Sequence, residues 1–124
     1  MNLMTKIATL SAILGMTAAM AAEAAQVRVK CERRADRSVI SVDGRGLASG
    51  VYVASATSGA NTAETSAQHT IGTEIEFHFA SNANDIAQGA TAIPANFIQN
   101  TVTAKIVTAD GFVVVADTVS CKTR

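Results

Sequence analysis

Two cysteines carry the best-defined chemistry in this sequence, and they lie near opposite ends of the domain. Cys31 follows QVRVK and Cys121 follows DTVS, so each thiol comes after alternating valines. In a small exported domain an even pair of cysteines favours a disulfide. Closing a loop of this length stabilises the fold by about 4 to 5 kcal/mol in the chain-entropy model. We therefore predict that a Cys31–Cys121 disulfide ties the first strand to the last.

Redox or nucleophilic chemistry would instead require positive charge beside a thiol, because such charge lowers its pKa. Lys30 and Lys122 flank the two cysteines in sequence. Neighbouring residues of a strand, however, point to opposite faces of the sheet. The spacing Cys-x-x-Cys of redox proteins is also absent. The pattern therefore favours a structural bridge.

The histidines His69 and His78 are the only ones in the chain, so any metal site or catalytic base of that type must use them. Glu74, Glu76 and His78 alternate along one strand, which spaces them about 7 Å apart. A zinc site needs several ligands that converge at about 2 Å. The serine-elbow pattern Gly-x-Ser-x-Gly is also absent. We predict no catalytic residue and no cofactor, with a small extracytoplasmic metal-dependent enzyme using both histidines as the alternative.

The segment from Asn82 to Asn100 has no stable period and several turn-forming residues, which predicts a long loop. Long loops in small domains are usually functional or packed onto the domain. Asn82, Asn84 and Asp85 are therefore candidate binding residues, and Asp85 could be the N-cap of a short helical turn. Phe97 could pack onto the domain or serve as an exposed anchor for a partner. The same loop could be presented to a protease by an inhibitor.

Alternation of apolar and polar residues, typical of half-buried strands, runs through most of the chain after residue 25. It predicts six to seven short strands in an all-β fold, a small antiparallel β-sandwich with one disulfide, with a small barrel as the alternative. The arrangement is similar in architecture to immunoglobulin-like domains. No tryptophan lies between the cysteines, and Val119 stands two residues before Cys121, where those domains have a tyrosine. The sequence indicates the architecture and not membership of that family.

Residues that favour turns separate the predicted strands. The pair Asp110–Gly111 between two β-branched runs predicts a hairpin with a type I′ turn. The pair Asp43–Gly44 predicts a turn that ends the strand SVISV. By parity, Asp117 shares the inward face of the last strand, where an unpaired carboxylate is costly. We expect a β-bulge between Val115 and Val119, or a position at the rim of the sheet, to resolve this conflict.

Residues 1–25 have the pattern of a cleaved secretory signal peptide of bacterial type. Lys6 precedes the apolar run Ile7–Met20, and small residues that suit a signal peptidase follow it. The run is shorter than the roughly 20 residues of a membrane span. Residues 26–124 are then one β-sandwich domain, secreted or periplasmic, with no membrane span in the mature chain.

The formal net charge is zero. Between positions 26 and 45 six basic residues outnumber three acidic ones, but the acidic residues lie among them and no aromatic residue is present. This distribution is unlike a nucleic-acid-binding surface. The sequence therefore favours a non-enzymatic module that has a structural role or binds a protein or a glycan. It specifies neither the ligand nor the oligomeric state.

Overall fold

The computed structural model describes residues 24–124, so nearly all of the expected signal peptide lies outside the described residues. Within this range the chain forms ten strands and one short helix. Seven strands have four residues or more, and three have only two. The bounds are β1 Gln26–Arg34, β2 Arg37–Arg45, β3 Val51–Ser58, β4 Asn61–Glu64, β5 Gln68–His69, β6 Ile75–Ala80, α1 Ala83–Ala87, β7 Thr91–Ala92, β8 Thr101–Thr108, β9 Val113–Ser120 and β10 Lys122–Thr123.

The strands form two sheets. Sheet A has the order β10-β1-β2-β6-β7, and sheet B has the order β4-β3-β8-β9 with β5 also paired to β3. The pairings are antiparallel except β1 with β10 and β6 with β7. The seven longer strands thus divide into β1-β2-β6 and β4-β3-β8-β9, an arrangement of the kind found in immunoglobulin-like sandwiches. The predicted fold class is confirmed.

The core lies between the two sheets because each long strand buries every second residue. The aromatic and branched side chains at its centre come from the three strands β2, β6 and β8 and from the connection after β7: Ile40, Val42, Phe77, Phe79, Val102, Ile106, Phe97 and Ile98. Two hydroxyl groups are also buried there. Ser38 Oγ donates to the carbonyl of Ala95 at 2.7 Å, and Ser58 Oγ donates to the carbonyl of Thr101 at 2.6 Å.

The predicted Cys31–Cys121 disulfide is present. Cys31 lies in β1 and Cys121 lies between β9 and β10, with their Cα atoms 4.8 Å apart and 90 positions between them in sequence. At this point the chain leaves sheet B, and β10 pairs with β1 in sheet A, with Glu32 opposite Lys122. The bond therefore joins the two sheets on the side where β1 and β9 approach each other.

Gly44 belongs to β2 and not to a turn, so the turn predicted at Asp43–Gly44 is wrong. The strand continues to Arg45, and the chain turns at Gly46, which has φ of 69°. A Cβ atom on Gly44 would lie 2.5 Å from Ile106 Cδ1. The glycine is therefore needed for close packing between the sheets.

Strands β8 and β9 form the predicted hairpin, but the turn is not of type I′. A type I′ turn requires positive φ at both central residues. In this turn only Gly111 has positive φ, at 96°. The N–H of Gly111 donates to the carbonyl of Thr108, and the N–H of Thr108 donates to the carbonyl of Phe112, both at 2.9 Å. The result is a three-residue loop with a left-handed glycine at its last position.

The β-bulge predicted within Val115–Val119 is wrong, because these residues pair with β8 in unbroken register. The register shifts closer to the hairpin turn, between Ile106 and Val107 of β8. Asp117 is exposed because β9 is an edge strand of sheet B. Its Oδ1 accepts a hydrogen bond from the N–H of Thr118 at 2.9 Å. The carboxylate thus lies at the rim of the sheet, which was the other expected arrangement.

Candidate functional site

Three connections lie at one end of the sandwich, as the strand registers show. Gln26 at the start of β1 pairs with Arg45 at the end of β2. Val51 at the start of β3 pairs with His69 at the end of β5, and Thr108 at the end of β8 pairs with the second residue of β3. The connections 46–50, 70–74 and 109–112 therefore lie at this end, which we call the loop end.

The large apolar side chains that are exposed among the described residues lie at or beside the loop end. Their exposed fractions are 87% for Ile71, 72% for Phe112, 54% for Val113 and 37% for Val114. Single exposed apolar residues are normal on protein surfaces. Because large exposed apolar patches are typical of interaction sites, this end of the domain is the candidate binding surface.

Hydrogen bonds within the β8–β9 turn hold Phe112 in place. The Phe112 carbonyl accepts from the N–H of Thr108, and the Phe112 N–H donates to the Thr108 hydroxyl at 3.1 Å. The next residue, Val113, pairs with Val107, which in turn pairs with Val53. These three valines cross the outer face of sheet B beside Phe112 and extend the apolar surface.

Ile71 is held in a tight turn of its own. The backbones of Ile71 and Glu74 exchange two hydrogen bonds, of 2.8 and 3.1 Å, and Gly72 between them has φ of 64°. Thr70 fixes this turn to the connection 46–50, because its N–H donates to the Gly50 carbonyl and its hydroxyl accepts from the Gly50 N–H. The turns that carry Ile71 and Phe112 are therefore ordered by hydrogen bonds before any partner binds. Such order lowers the entropic cost of binding.

A cavity of about 530 Å³ lies beside Ile71 on sheet A. Its walls combine two guanidinium groups with three carboxyl groups, from Arg28, Arg45, Asp43, Glu74 and Glu76. Burial raises the pKa of Asp43, and so do the hydrogen bond and the negative charge of Glu76, while His78 and Lys30 act in the opposite direction. The Oδ1 atom of Asp43 is buried without a hydrogen-bond partner. At the loop end, charged residues of sheet A thus lie next to the exposed side chain of Ile71.

The predicted binding residues Asn82, Asn84 and Asp85 come together at the opposite end of sheet A. They line a second cavity, of about 360 Å³, together with Glu32, Arg34, Arg37 and Val39. Asn82 is the N-cap of α1, and Asp85 lies in the first turn of that helix. The prediction of Asp85 as the N-cap is therefore wrong by three positions.

Phe97 does not join these residues. It is 2% exposed and packs in the core, so it is not available as an exposed anchor. Its N–H donates to the Pro94 carbonyl at 3.1 Å, and its carbonyl accepts from Asn61 Nδ2 at 2.8 Å. The long connection after β7 is thus packed onto the sandwich.

The two histidines lie in different sheets. His69 is in β5, which pairs with β3 of sheet B, whereas His78 is in β6 of sheet A. His78 Nε2 lies 3.6 Å from Glu76 Oε1, and both side chains are at least half exposed. Within residues 24–124, no three histidine, cysteine or acidic side chains are grouped so that they could hold a metal ion.

The sequence analysis did not single out Ile71 and Phe112 as candidate binding residues. A usable signal was present, because each large apolar residue is adjacent to a turn glycine: Gly72 follows Ile71, and Gly111 precedes Phe112. The same signal also marks Leu47, which follows the turn glycine Gly46 and is buried, so it does not by itself separate exposed from buried residues.

No protein-family model, curated protein or solved structure matches this chain. No helix in the described part of the chain has the length and hydropathy needed to cross a membrane.

Proposed function

We propose that this chain is an exported, non-enzymatic β-sandwich module that binds a partner protein through its loop end. The observation that carries the proposal is the exposure of Ile71 and Phe112 on hydrogen-bonded turns at the same end of a disulfide-linked sandwich. Secretion or a periplasmic location fits the disulfide, since such bonds persist in oxidising compartments.

The composition of the loop end favours a protein over a glycan as its partner. Protein interfaces combine a few apolar or aromatic anchors with a polar rim. Phe112 and Ile71 would be the anchors, and Asp110 and Glu74 lie beside them in the same turns. In immunoglobulin variable domains, loops at one end of a similar sandwich bind the antigen, which is support by analogy of fold alone.

The two alternatives from the sequence receive less support. A metal-dependent enzyme using both histidines would need His69 and His78 in one site, but their strands belong to different sheets. A protease inhibitor needs a projecting, accessible loop. Residues 94–96 are exposed, but the chain there is held against the body by the Ser38 hydroxyl, which donates to the Ala95 carbonyl, and by the buried Phe97.

Site-specific cross-linking tests the proposal. A photo-reactive amino acid at position 112 is expected to capture a defined protein in the native envelope, and the same group at the exposed Thr62 on β4 is expected not to. The captured protein is then purified and its affinity for the disulfide-bonded domain is measured by calorimetry.

Variants of the anchors give the quantitative result. Ile71→Ser and Phe112→Ser are each expected to weaken binding at least tenfold, about 1.4 kcal/mol, as for interface anchors of this type. Thr62→Ser serves as the matched control and should leave the affinity unchanged. A captured protein that binds the double variant as tightly as the wild type would refute the proposal, as would the absence of any captured protein.

A further inference from the structure

Basic side chains are concentrated on the outer face of sheet A. Every second side chain of a strand points to the same face, and the buried residues Val29, Cys31, Ile40 and Val42 define the inward face of β1 and β2. The residues between them therefore point outward. The outward-directed basic residues of β1, β2 and β10 are Arg28, Lys30, Arg34, Arg37, Arg45, Lys122 and Arg124. We call this surface the basic face.

The basic face has an excess of positive charge although the formal net charge of the chain is zero. Its seven basic residues outnumber the three acidic residues that the strands of sheet A direct the same way, Glu32, Asp43 and Glu76. In the described part of the chain, the strands of sheet B direct only one lysine and one glutamate outward, Lys105 and Glu64. The positive charge is therefore segregated onto one side of the sandwich.

Most of this positive charge is not neutralised within the molecule. Glu32 is paired with both Arg34, at 3.4 Å, and Arg124, so one carboxylate serves two guanidinium groups. No ion pair within residues 24–124 involves the five other basic residues of the face. Exposed charges act over about 10 Å at an ionic strength of about 0.1 M. The basic face can therefore attract an anionic partner.

The distribution of the basic residues indicates the shape of that partner. From Arg28 to Arg34 they extend about 20 Å along β1, and from β10 to β2 they extend about 10 Å across three strands. The charges thus cover an area and do not follow a single line. An extended charged surface can contact all of them at once, whereas a linear polyanion would contact those of one strand.

The basic face lacks the groups that other anionic partners use. Protein interfaces depend on apolar or aromatic anchors, but the large exposed apolar residues of the described range lie at or beside the loop end. Single-stranded nucleic acids stack their bases on aromatic side chains, and β1, β2 and β10 contain no aromatic residue. An anionic lipid surface requires neither group, because each lysine or arginine near it adds attraction on its own.

We propose that the basic face holds this domain on a lipid bilayer that contains phosphatidylglycerol or another anionic phospholipid, by electrostatic attraction and without insertion. The strands of sheet A would then lie parallel to the membrane. The loop end, at the ends of these strands, would remain accessible to the partner protein of the proposed function. The membrane contact goes beyond that function and does not depend on it.

Sedimentation with lipid vesicles tests the membrane contact on the disulfide-bonded protein. One set of vesicles contains phosphatidylcholine alone, and the other contains equal parts of phosphatidylcholine and phosphatidylglycerol. The protein is expected to sediment with the second set only. Sodium chloride should release it, because salt screens exposed charges. Sodium phosphate of the same ionic strength should release no more protein than sodium chloride, since the basic face is a surface and not a pocket for one phosphate group.

Substitutions of exposed lysines separate the basic face from the net charge of the protein. Lys30→Gln and Lys122→Gln are each expected to weaken binding to the phosphatidylglycerol vesicles about fivefold. Lys105→Gln is the matched control, because it removes the same charge from an exposed lysine on sheet B and should leave vesicle binding unchanged. Phe112→Ser should also bind the vesicles as the wild type does, so this proposal and the proposed function can fail independently.

Three results would overturn the membrane contact. The first is sedimentation that does not differ between the two sets of vesicles. The second is an equal loss of binding in Lys30→Gln and Lys105→Gln, which would mean that net charge alone drives the attraction. The third is binding to heparin, used as an anionic polysaccharide, without binding to either set of vesicles, which would assign the basic face to a polysaccharide.

Discussion

Removal of the disulfide is expected to be the most damaging simple change to this fold. The bond joins residues 90 positions apart, and the double substitution of Cys31 and Cys121 by alanine removes it. The chain-entropy model assigns about 4 to 5 kcal/mol to a loop of this length. Because the unfolded chain then gains this freedom, the free energy of unfolding should fall by a similar amount.

A loss of this size is large for a domain of about 100 residues, whose total stability is about 5 to 15 kcal/mol. With a urea dependence of about 1 to 3 kcal/mol per molar, the unfolding midpoint should fall by about 1.3 to 5 M. The short β10 strand should lose its pairing with β1 first, since it follows Cys121 directly.

Urea unfolding followed by circular dichroism measures the effect on the oxidised wild type, the reduced wild type and the double alanine variant. The last two should unfold at the same midpoint, because both lack only the bridge. A fall of less than about 1 kcal/mol would refute the reasoning and would mean that packing alone holds the first and last strands together.

Two further changes test the interior and the charged face. Gly44→Ala should lower the free energy of unfolding by about 1 to 3 kcal/mol, because the added Cβ would lie 2.5 Å from Ile106 Cδ1. Gly50→Ala is the control, because its Cβ would have no neighbour closer than 4.0 Å. Equal urea midpoints for the two variants would contradict the packing argument. Burial and the neighbouring Glu76 raise the pKa of Asp43 above 3.8. Near this pH the folded state therefore binds more protons than the unfolded chain. As a result, the free energy of unfolding falls as pH rises through the raised pKa. Asp43→Asn removes this loss, so the free energy of unfolding of the variant, relative to that of the wild type, should increase as pH rises above about 3.8. A difference between the two proteins that is independent of pH in urea titrations would contradict the raised pKa of Asp43.

The strands and the disulfide could be predicted from the sequence because both depend on local patterns. Alternation in the segment around Phe77 places the core residues of β6 without knowledge of any other strand. The same parity directs Cys31 inward. The β8–β9 hairpin follows from a turn pair between β-branched runs. For these elements, the local pattern and the tertiary structure agree.

The sequence alone could not predict features that depend on residues distant in the chain. Gly44 resembles a turn glycine, and only the position of Ile106, on the other sheet, shows that it is a packing glycine. The exposure of Ile71 and Phe112 depends on which strands end together, which the order of β5, β3 and β8 decides. The cavity at Asn82 likewise requires the β1–β2 hairpin to lie beside α1.

The position of Asp117 has a consequence for how copies of this protein behave toward one another. Strand β9 is eight residues long, and one side of its backbone is left open at the edge of sheet B. Long open edges readily recruit strands from other molecules, and an inward-directed charge is one way in which proteins prevent this. If another strand paired with β9, the carboxylate of Asp117 would be covered beside the valine side chains of the same face. We therefore expect Asp117, which interrupts the valine pattern, to disfavour the addition of a strand from another copy.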